Sequence, residues 1–361
     1  MHMYMVWCAV LVLGLGHASG VNDAPVVTSW LFGPSRKAEV HNVVWDPTYE
    51  RLVLFSNFGF GTHETQASIV ELNGVGTTAG LKVANKMDLP CYGSEKWGGA
   101  RPVDMATARQ FWVSCGAALT PADKIYAPAG LFSYDGGTVV AAVNGSRGGA
   151  AYDSFATWTD GGNIEWQFFV RADDRNRTAR TPLTACAPNK DYCKTSVAPG
   201  AAPTAAQLSA RVNGDELFVL ASKVESFGNY TGGCCADTLL VYPLSTAEDG
   251  PKTGAEISVS LDAIVPSDPT VKVSHTFFSW TEAGATTFNF AATKPNGGGD
   301  FVVEATLVEK GGKYAVEYVG HFAVPGSRHI NGLTRFVYNG TGYTATTDLD
   351  FGLYLFADPG E

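Results

Sequence analysis

Apolar and polar residues alternate along residues 39–57, EVHNVVWDPTYERLVLFSN, on both sides of a turn at Asp46-Pro47-Thr48. Alternation with a period of two is typical of half-buried β-strands, and proline suits the turn that joins them. Similar segments recur at residues 273–293 and 329–347, and in all three a histidine opens the first strand. The recurrence predicts a repeated β-hairpin unit.

Short glycine-containing turns divide the intervening chain into further strands. They lie at Asp135-Gly136-Gly137, Asp160-Gly161-Gly162, Asn213-Gly214, Lys310-Gly311-Gly312-Lys313 and Asn339-Gly340. Such dipeptides between alternating segments are the strongest local signals for hairpins. Units of roughly 45–65 residues with about four strands each predict a β-propeller. Residues 173–203, in the third unit, lack the pattern of two clean strands.

The two ends of the chain complement each other. The last unit stops after residues 351–356 without a fourth strand, while residues 26–32 form a strand with no hairpin partner. Docking the N-terminal strand beside the last one would protect an open edge. We therefore predict an all-β fold, a six-bladed propeller in a single domain at residues 21–361, closed by the N-terminal strand. A five-bladed propeller and a β-sandwich are the alternatives.

In strand spacing, over most of residues 21–361, the chain resembles secreted six-bladed propellers, a group that includes calcium-dependent lactonases and strictosidine-synthase-like proteins. The resemblance implies the fold alone, because the metal ligands of those families have no residue-by-residue match here and a fold does not determine an activity.

Composition and charge limit the cellular compartments and the kinds of partner that are expected for the protein. The chain has 361 residues, of which 45% are hydrophobic and 17% charged, with 41 glycines and a formal net charge of −10. Nucleic acids and anionic membranes attract basic surfaces, so neither is expected as a partner. Residues 1–20 predict a signal peptide, with an apolar core at residues 5–15 and small residues at Ala18-Ser19-Gly20. We expect a secreted, extracellular monomer without a membrane anchor.

Cysteines and glycosylation signals agree with secretion. Four Asn-x-Ser/Thr sequences begin at Asn144, Asn176, Asn229 and Asn339. Six cysteines follow the signal peptide, an even number that suits disulfides, and six allow 15 connectivities. Proximity favours Cys91–Cys115 and Cys186–Cys193, which leaves the adjacent pair Cys234 and Cys235. These two either bond to each other in a strained ring or pair with other cysteines.

Candidate chemistry gathers at one predicted face of the propeller. The long connections at residues 58–67, 116–129, 222–236 and 294–300 open on the face where the inner strands begin, and function usually lies on such loops. His41, His275 and His329 start inner strands there and could bind a divalent metal, or one of them could act as a base. Further candidates are the ligand contacts His63 and Trp97 and the acids Glu64, Asp348 and Asp350.

The favoured function is binding of an extracellular protein, glycan or small molecule at this face. The alternative is a metal-assisted hydrolase of esters or lactones, with the three histidines around a divalent metal and Glu64 or Asp348 as the catalytic base. A third option is a structural component of an extracellular matrix or wall. The residues decide neither between enzyme and binder nor which ligand is bound.

Overall fold

A computed structural model describes the fold through its strands and the shorter turns. The described residues are 27–30, 38–47, 49–58, 64–73, 81–89, 101–102, 110–114, 129–133, 139–143, 152–160, 163–171, 183–187, 192–195, 206–222, 234–244, 257–261, 264, 270–274, 278–280, 282, 284–294, 299–327, 330–348 and 352–358. The signal sequence predicted at residues 1–20 lies outside them. No helix in the described part of the chain has the length and apolar character that crossing a membrane requires.

The first half of the chain forms three four-stranded antiparallel sheets after an N-terminal strand, β1 (Val27–Trp30). The first sheet contains β2 (Ala38–Asp46), β3 (Arg51–Phe58), β4 (Glu64–Glu71) and β5 (Lys82–Leu89). The second contains β6 (Arg101–Pro102), β7 (Gln110–Ser114), β8 (Ala129–Ser133) and β9 (Val139–Val143). The third contains β10 (Tyr152–Asp160), β11 (Asn163–Arg171), β12 (Leu183–Ala187) and β13 (Tyr192–Thr195). The last two strands lie in the segment without a clear strand pattern.

The second half forms three more sheets. Its strands are β14 (Ala206–Asn213), β15 (Glu216–Ser222), β16 (Cys234–Ala236), β17 (Thr238–Pro243), β18 (Ile257–Ser260), β19 (Lys272–Ser274), β20 (Thr287–Thr293), β21 (Asp300–Lys310), β22 (Lys313–Val324), β23 (Ile330–Tyr338), β24 (Thr341–Asp348) and β25 (Gly352–Ala357). The fourth sheet is β14-β15-β17-β18, the fifth is β16-β19-β20-β21-β22, and the sixth is β23-β24-β25-β1.

The N-terminal strand completes the sixth sheet, as its unpaired apolar pattern predicts. β1 runs antiparallel to β25, from Val27 opposite Leu355 to Trp30 opposite Gly352. Strands that are consecutive in the chain are otherwise neighbours in each sheet, with one exception. β16 comes from the connection between β15 and β17 of the fourth sheet but pairs with β19 of the fifth.

The sheets contact each other in chain order, and the sixth contacts the first. First strands of adjacent sheets make several of these contacts, including β2 with β23 and β10 with β14. A sheet that buries both faces must pack against two neighbours. The protein is therefore all-β, with a propeller-like arrangement of small antiparallel sheets.

Apolar side chains fill the spaces between adjacent sheets. Phe218, Phe288 and Phe290 belong to a cluster between the fourth and fifth sheets. A second cluster, with Val302 and Phe356, lies between the fifth and sixth sheets. A third joins the sixth sheet to the first. Each fully buried phenylalanine stabilises the fold by about 1.5–3 kcal/mol relative to an exposed one.

The interface between the first and sixth sheets combines aromatic stacking with a close backbone contact. Trp45 stacks on Phe336, with ring centroids 4.3 Å apart. Farther along the same strands, a Cβ atom added to Gly332 would lie 2.5 Å from Asn42 Cα and 2.7 Å from the Val43 nitrogen. Only glycine allows β23 to approach β2 this closely.

Replacing Gly332 by alanine should therefore push the first and sixth sheets apart. We expect Gly332→Ala to destabilise the protein by about 1–3 kcal/mol, the usual effect of overpacking. Gly320→Ala is the matched control, because a Cβ added there meets no atom within 4 Å. Urea unfolding followed by tryptophan fluorescence measures both. Equal stability of the two variants would contradict the close packing.

Candidate functional site

The loop-bearing face is defined here as the end of the molecule at which the first strands of the sheets begin. The connections between second and third strands open there, at residues 59–63, 115–128, 172–182, 223–237, 294–299 and 349–351. At the opposite end, the turns joining first and second strands are as short as residues 161–162, 214–215 and 339–340. The antiparallel topology thus places the connections between second and third strands on one face of a rigid scaffold, and binding residues are commonly found on connections of this kind.

First strands of four sheets contain a β-bulge close to the loop-bearing face. The register shifts between Val40 and Asn42 in β2, between Tyr152 and Ser154 in β10, between Gln207 and Ser209 in β14, and between Ile330 and Gly332 in β23. The extra residues are His41, Asp153, Leu208 and Asn331. A bulge leaves one residue outside the regular ladder and redirects its side chain, which explains why bulges are frequent beside binding and active sites.

The fifth sheet has a larger irregularity at the corresponding place. Val273 pairs with Ala292, and the next described bridge joins Ser279 to Asn289. His275 comes between these two pairs in the chain and lies outside the described residues.

The bulges of β2 and β23 are brought together by the contact of Gly332 with Asn42. Asn42 is buried, and its Oδ1 accepts a hydrogen bond of 2.8 Å from the Val43 nitrogen. The Thr347 hydroxyl is fully buried beside Gly332 and has no hydrogen-bond partner in the part of the chain that the structure describes. His41 and Asn331 are the residues immediately before Asn42 and Gly332. The geometry therefore places both bulges at one junction between the first and sixth sheets.

Asp348 ends β24 on the same face, opposite Ile330, and is fully buried. One carboxylate oxygen accepts a hydrogen bond of 2.9 Å from the Gly352 nitrogen, and the other accepts one of 3.2 Å from the Tyr354 hydroxyl. These bonds link the end of β24 to the start of β25. Asp300 and Ser327 make a similar buried contact nearby, with the hydroxyl donating over 2.8 Å.

The remaining predicted site residues are placed as follows. His41 is in β2, and Glu64 begins β4 opposite Phe58. His63, Trp97, His329 and Asp350 lie outside the described residues. Among the residues that the structure does describe, no three His, Cys, Asp or Glu side chains come together as a metal site would require.

The predicted covalent features are described in part. Cys186 in β12 lies directly opposite Cys193 in β13. Cys234 and Cys235 lie in β16, along the edge of the fifth sheet next to its first strand. Asn339 is exposed in the turn between β23 and β24, on the face opposite the long connections. Cys91, Cys115, Asn144, Asn176 and Asn229 lie outside the described residues.

A charged cluster joins the fifth and sixth sheets toward the opposite face. Arg335 donates hydrogen bonds of 3.2 and 3.0 Å to Asp358 Oδ2, and its guanidinium lies 3.7 Å from Glu304 Oε1. Burial raises the pKa of Glu304; Arg335 opposes this rise and the charge of Asp358 adds to it. The cluster is an interface between sheets rather than part of the loop-bearing face.

Sequence reasoning missed Asp153 and Asn331. A bulge is a relation between two paired strands, so nothing in either strand alone marks the extra residue. The signal in the sequence that could have indicated the bulges is a break in the alternation of apolar and polar residues at the start of each first strand.

No protein-family model matches the chain, and neither does any curated protein. Two solved structures are similar in outline. A chain from a structural and mechanistic analysis of two prolyl endopeptidases is 11% identical; 90% of this chain and 43% of that chain are covered, with a TM-score of 0.40. Apo AztD from Citrobacter koseri is 13% identical, with 89% and 73% covered and a TM-score of 0.35. The chain spans less than half of the first structure's length, and neither similarity bears on activity.

The raised pKa of Glu304 predicts a specific pH dependence. The folded protein binds this proton more tightly than the unfolded chain does, so the contribution of Glu304 to stability is fully present below the unfolded pKa of about 4.5 and is lost as pH rises through the folded value. Glu304→Gln removes this loss, and its stability relative to the unmodified protein should increase between pH 4 and pH 7.

Urea unfolding at several pH values measures this difference. Glu309→Gln, an exposed change on the same strand, controls for the loss of one negative charge. A relative stability of Glu304→Gln that falls with rising pH would mean that the attraction of Arg335 outweighs burial.

Proposed function

We propose that the protein is a secreted, glycosylated six-bladed β-propeller that binds a ligand at its loop-bearing face. Six sheets with contacts in chain order, and a last sheet completed by β1, support six blades in one domain at residues 21–361. The expected partner is an extracellular protein, a glycan or a small molecule. The expected state is a monomer without a membrane anchor or nucleic-acid partner.

The repeated bulge is the observation that carries the binding proposal. Four first strands deviate from regular pairing near the same face, although regular pairing would make more ladder hydrogen bonds. Three of the four extra residues are His41, Asp153 and Asn331, which offer an imidazole, a carboxylate and an amide. Groups of this kind, held on strands rather than on loops, suit recognition of a polar ligand.

A metal-assisted hydrolase of esters or lactones is the second candidate. His41 occupies a bulge of β2, near the loop-bearing face. In this hypothesis His41, His275 and His329 hold a divalent metal, which would activate a water molecule, while Glu64 or Asp348 serves as the base. The position of His41 at a bulge of a first strand supports this hypothesis.

Disulfides and glycans belong to the same proposal. Residues directly opposite in an antiparallel pair have Cα atoms about 4.5–5.5 Å apart, within the range for a disulfide. The register of Cys186 and Cys193 therefore supports their pairing. The exposed turn at Asn339 suits N-glycosylation, as proposed also for Asn144, Asn176 and Asn229. Cys91–Cys115 is the further pair that proximity favours, and Cys234 and Cys235 either bond to each other or pair with other cysteines.

Peptide mapping without reduction tests this framework on protein secreted by eukaryotic cells. We expect Cys186 and Cys193 in linked peptides, because β12 and β13 hold them opposite each other. A free thiol at either position, or a different partner, would overturn the pairing.

One experiment on the secreted protein, purified without a histidine tag, separates the two functions. The metal content is measured first, and thermal unfolding is followed before and after chelation. About one metal per chain, with a melting temperature that falls on chelation and a loss of metal in His41→Ala, would favour the hydrolase. Ester and lactone substrates would then be screened.

A protein without metal, whose melting ignores the chelator, would favour the binder. A glycan array and a thermal-shift panel of small molecules would then supply a probe. We expect His41→Ala or Asn331→Ala to weaken binding of that probe about tenfold or more, and Lys313→Ala, on the opposite face, to leave it unchanged. Unchanged binding in both bulge variants would contradict the proposed site.

A further inference from the structure

A column of polar side chains follows one side of β24. Thr344, Thr346 and Asp348 are at alternate positions and therefore face the same side of the sheet, and all three are fully buried. That side faces the fifth sheet, because Asn289 Nδ2 in β20 donates a hydrogen bond of 2.9 Å to Thr344 Oγ1. Polar groups thus line a space whose neighbouring side chains are mostly apolar.

Two atoms in this space have no hydrogen-bond partner among the described residues. They are Asn289 Oδ1 and Thr346 Oγ1, and both residues are fully buried. Exchanging the oxygen and nitrogen of the Asn289 amide would still leave one amide atom unpaired. Each such group costs about 1–3 kcal/mol if it stays unsatisfied. Two unpartnered groups facing one interface therefore indicate a shared ligand.

The spacing of the two atoms suits a single water molecule. Side chains two residues apart on a strand are separated by about 6.6–6.8 Å, and Asn289 is anchored at Thr344, one such step from Thr346. A water within hydrogen-bond distance of two atoms spans at most twice one hydrogen bond of roughly 2.7–3.2 Å, so it fits here when Asn289 Oδ1 lies on the Thr346 side of the amide. Ala291, the next residue of β20 on the same side, is small and fully buried.

We propose that one buried water molecule binds between the fifth and sixth sheets, donating to Asn289 Oδ1 and hydrogen-bonding to the Thr346 hydroxyl. Its ligands are two uncharged groups. The site lies one strand step from Asp348 and links the sheet that joins the two chain ends to its neighbour. This inference is independent of the ligand proposed for the loop-bearing face.

The variant Thr346→Val tests the site, because valine has the shape of threonine without its hydroxyl. If a water links Thr346 to Asn289, the variant removes one hydrogen-bond partner of that buried water. The ratio of unfolded to folded protein should then rise by about fivefold or more. If the hydroxyl has no ligand, its removal should be neutral or stabilising. Thr347→Val, facing the first sheet from the same strand, measures the effect of removing a threonine hydroxyl outside the site.

A destabilisation by Thr346→Val that exceeds that of Thr347→Val would support the bound water. An equal or smaller effect would overturn it. A high-resolution crystal structure gives an independent readout, with an electron-density peak within hydrogen-bond distance of both Asn289 and Thr346. Loss of that peak in Thr346→Val would confirm the assignment, and a site without density in the unmodified protein would refute it.

Discussion

The pairing of β1 with β25 is the interaction on which the rest of the arrangement depends. It brings the first and last described strands of the chain into one sheet, over the four residue pairs from Val27–Leu355 to Trp30–Gly352. Without β1, β25 would present an open edge. In β25, Leu355 faces the first sheet and Tyr354 faces the fifth. Packing on both sides of the sixth sheet therefore relies on a strand that the N-terminus holds in place.

Local features of the fold could be predicted because they follow from local chemistry. Two-residue turns that need positive φ select asparagine and glycine, and Asn339 and Gly340 have φ angles of 50° and 77°. The unpaired strand β1 could be predicted for a similar reason, since its apolar pattern has no hairpin partner nearby in the sequence. β12 and β13 could not be predicted, because LTACA and YCKT contain few large apolar residues from which an alternation could be recognised.

Relations between strands could not be predicted from the pattern. The histidines at positions 41 and 329 suggested equivalent strand starts. In the strand register, however, His41 is equivalent to Asn331, the bulge residue two positions after His329. Hydrogen-bond pairing with the second strand decides this alignment. The membership of β16 in the fifth sheet could not be predicted either. This three-residue strand lies in the connection between two strands of the fourth sheet but pairs with a strand of the fifth.

The two sides of β24 show how the sixth sheet is held in register. Ala345 faces an apolar cluster shared with the first sheet, where several registers would bury similar area. Thr344 on the other side meets the Asn289 amide, and its hydroxyl also lies 3.4 Å from Asp358. A slip of one residue would present Ala345 to Asn289 and leave the buried amide unpaired. Directional polar contacts thus specify a position that apolar packing alone would leave degenerate.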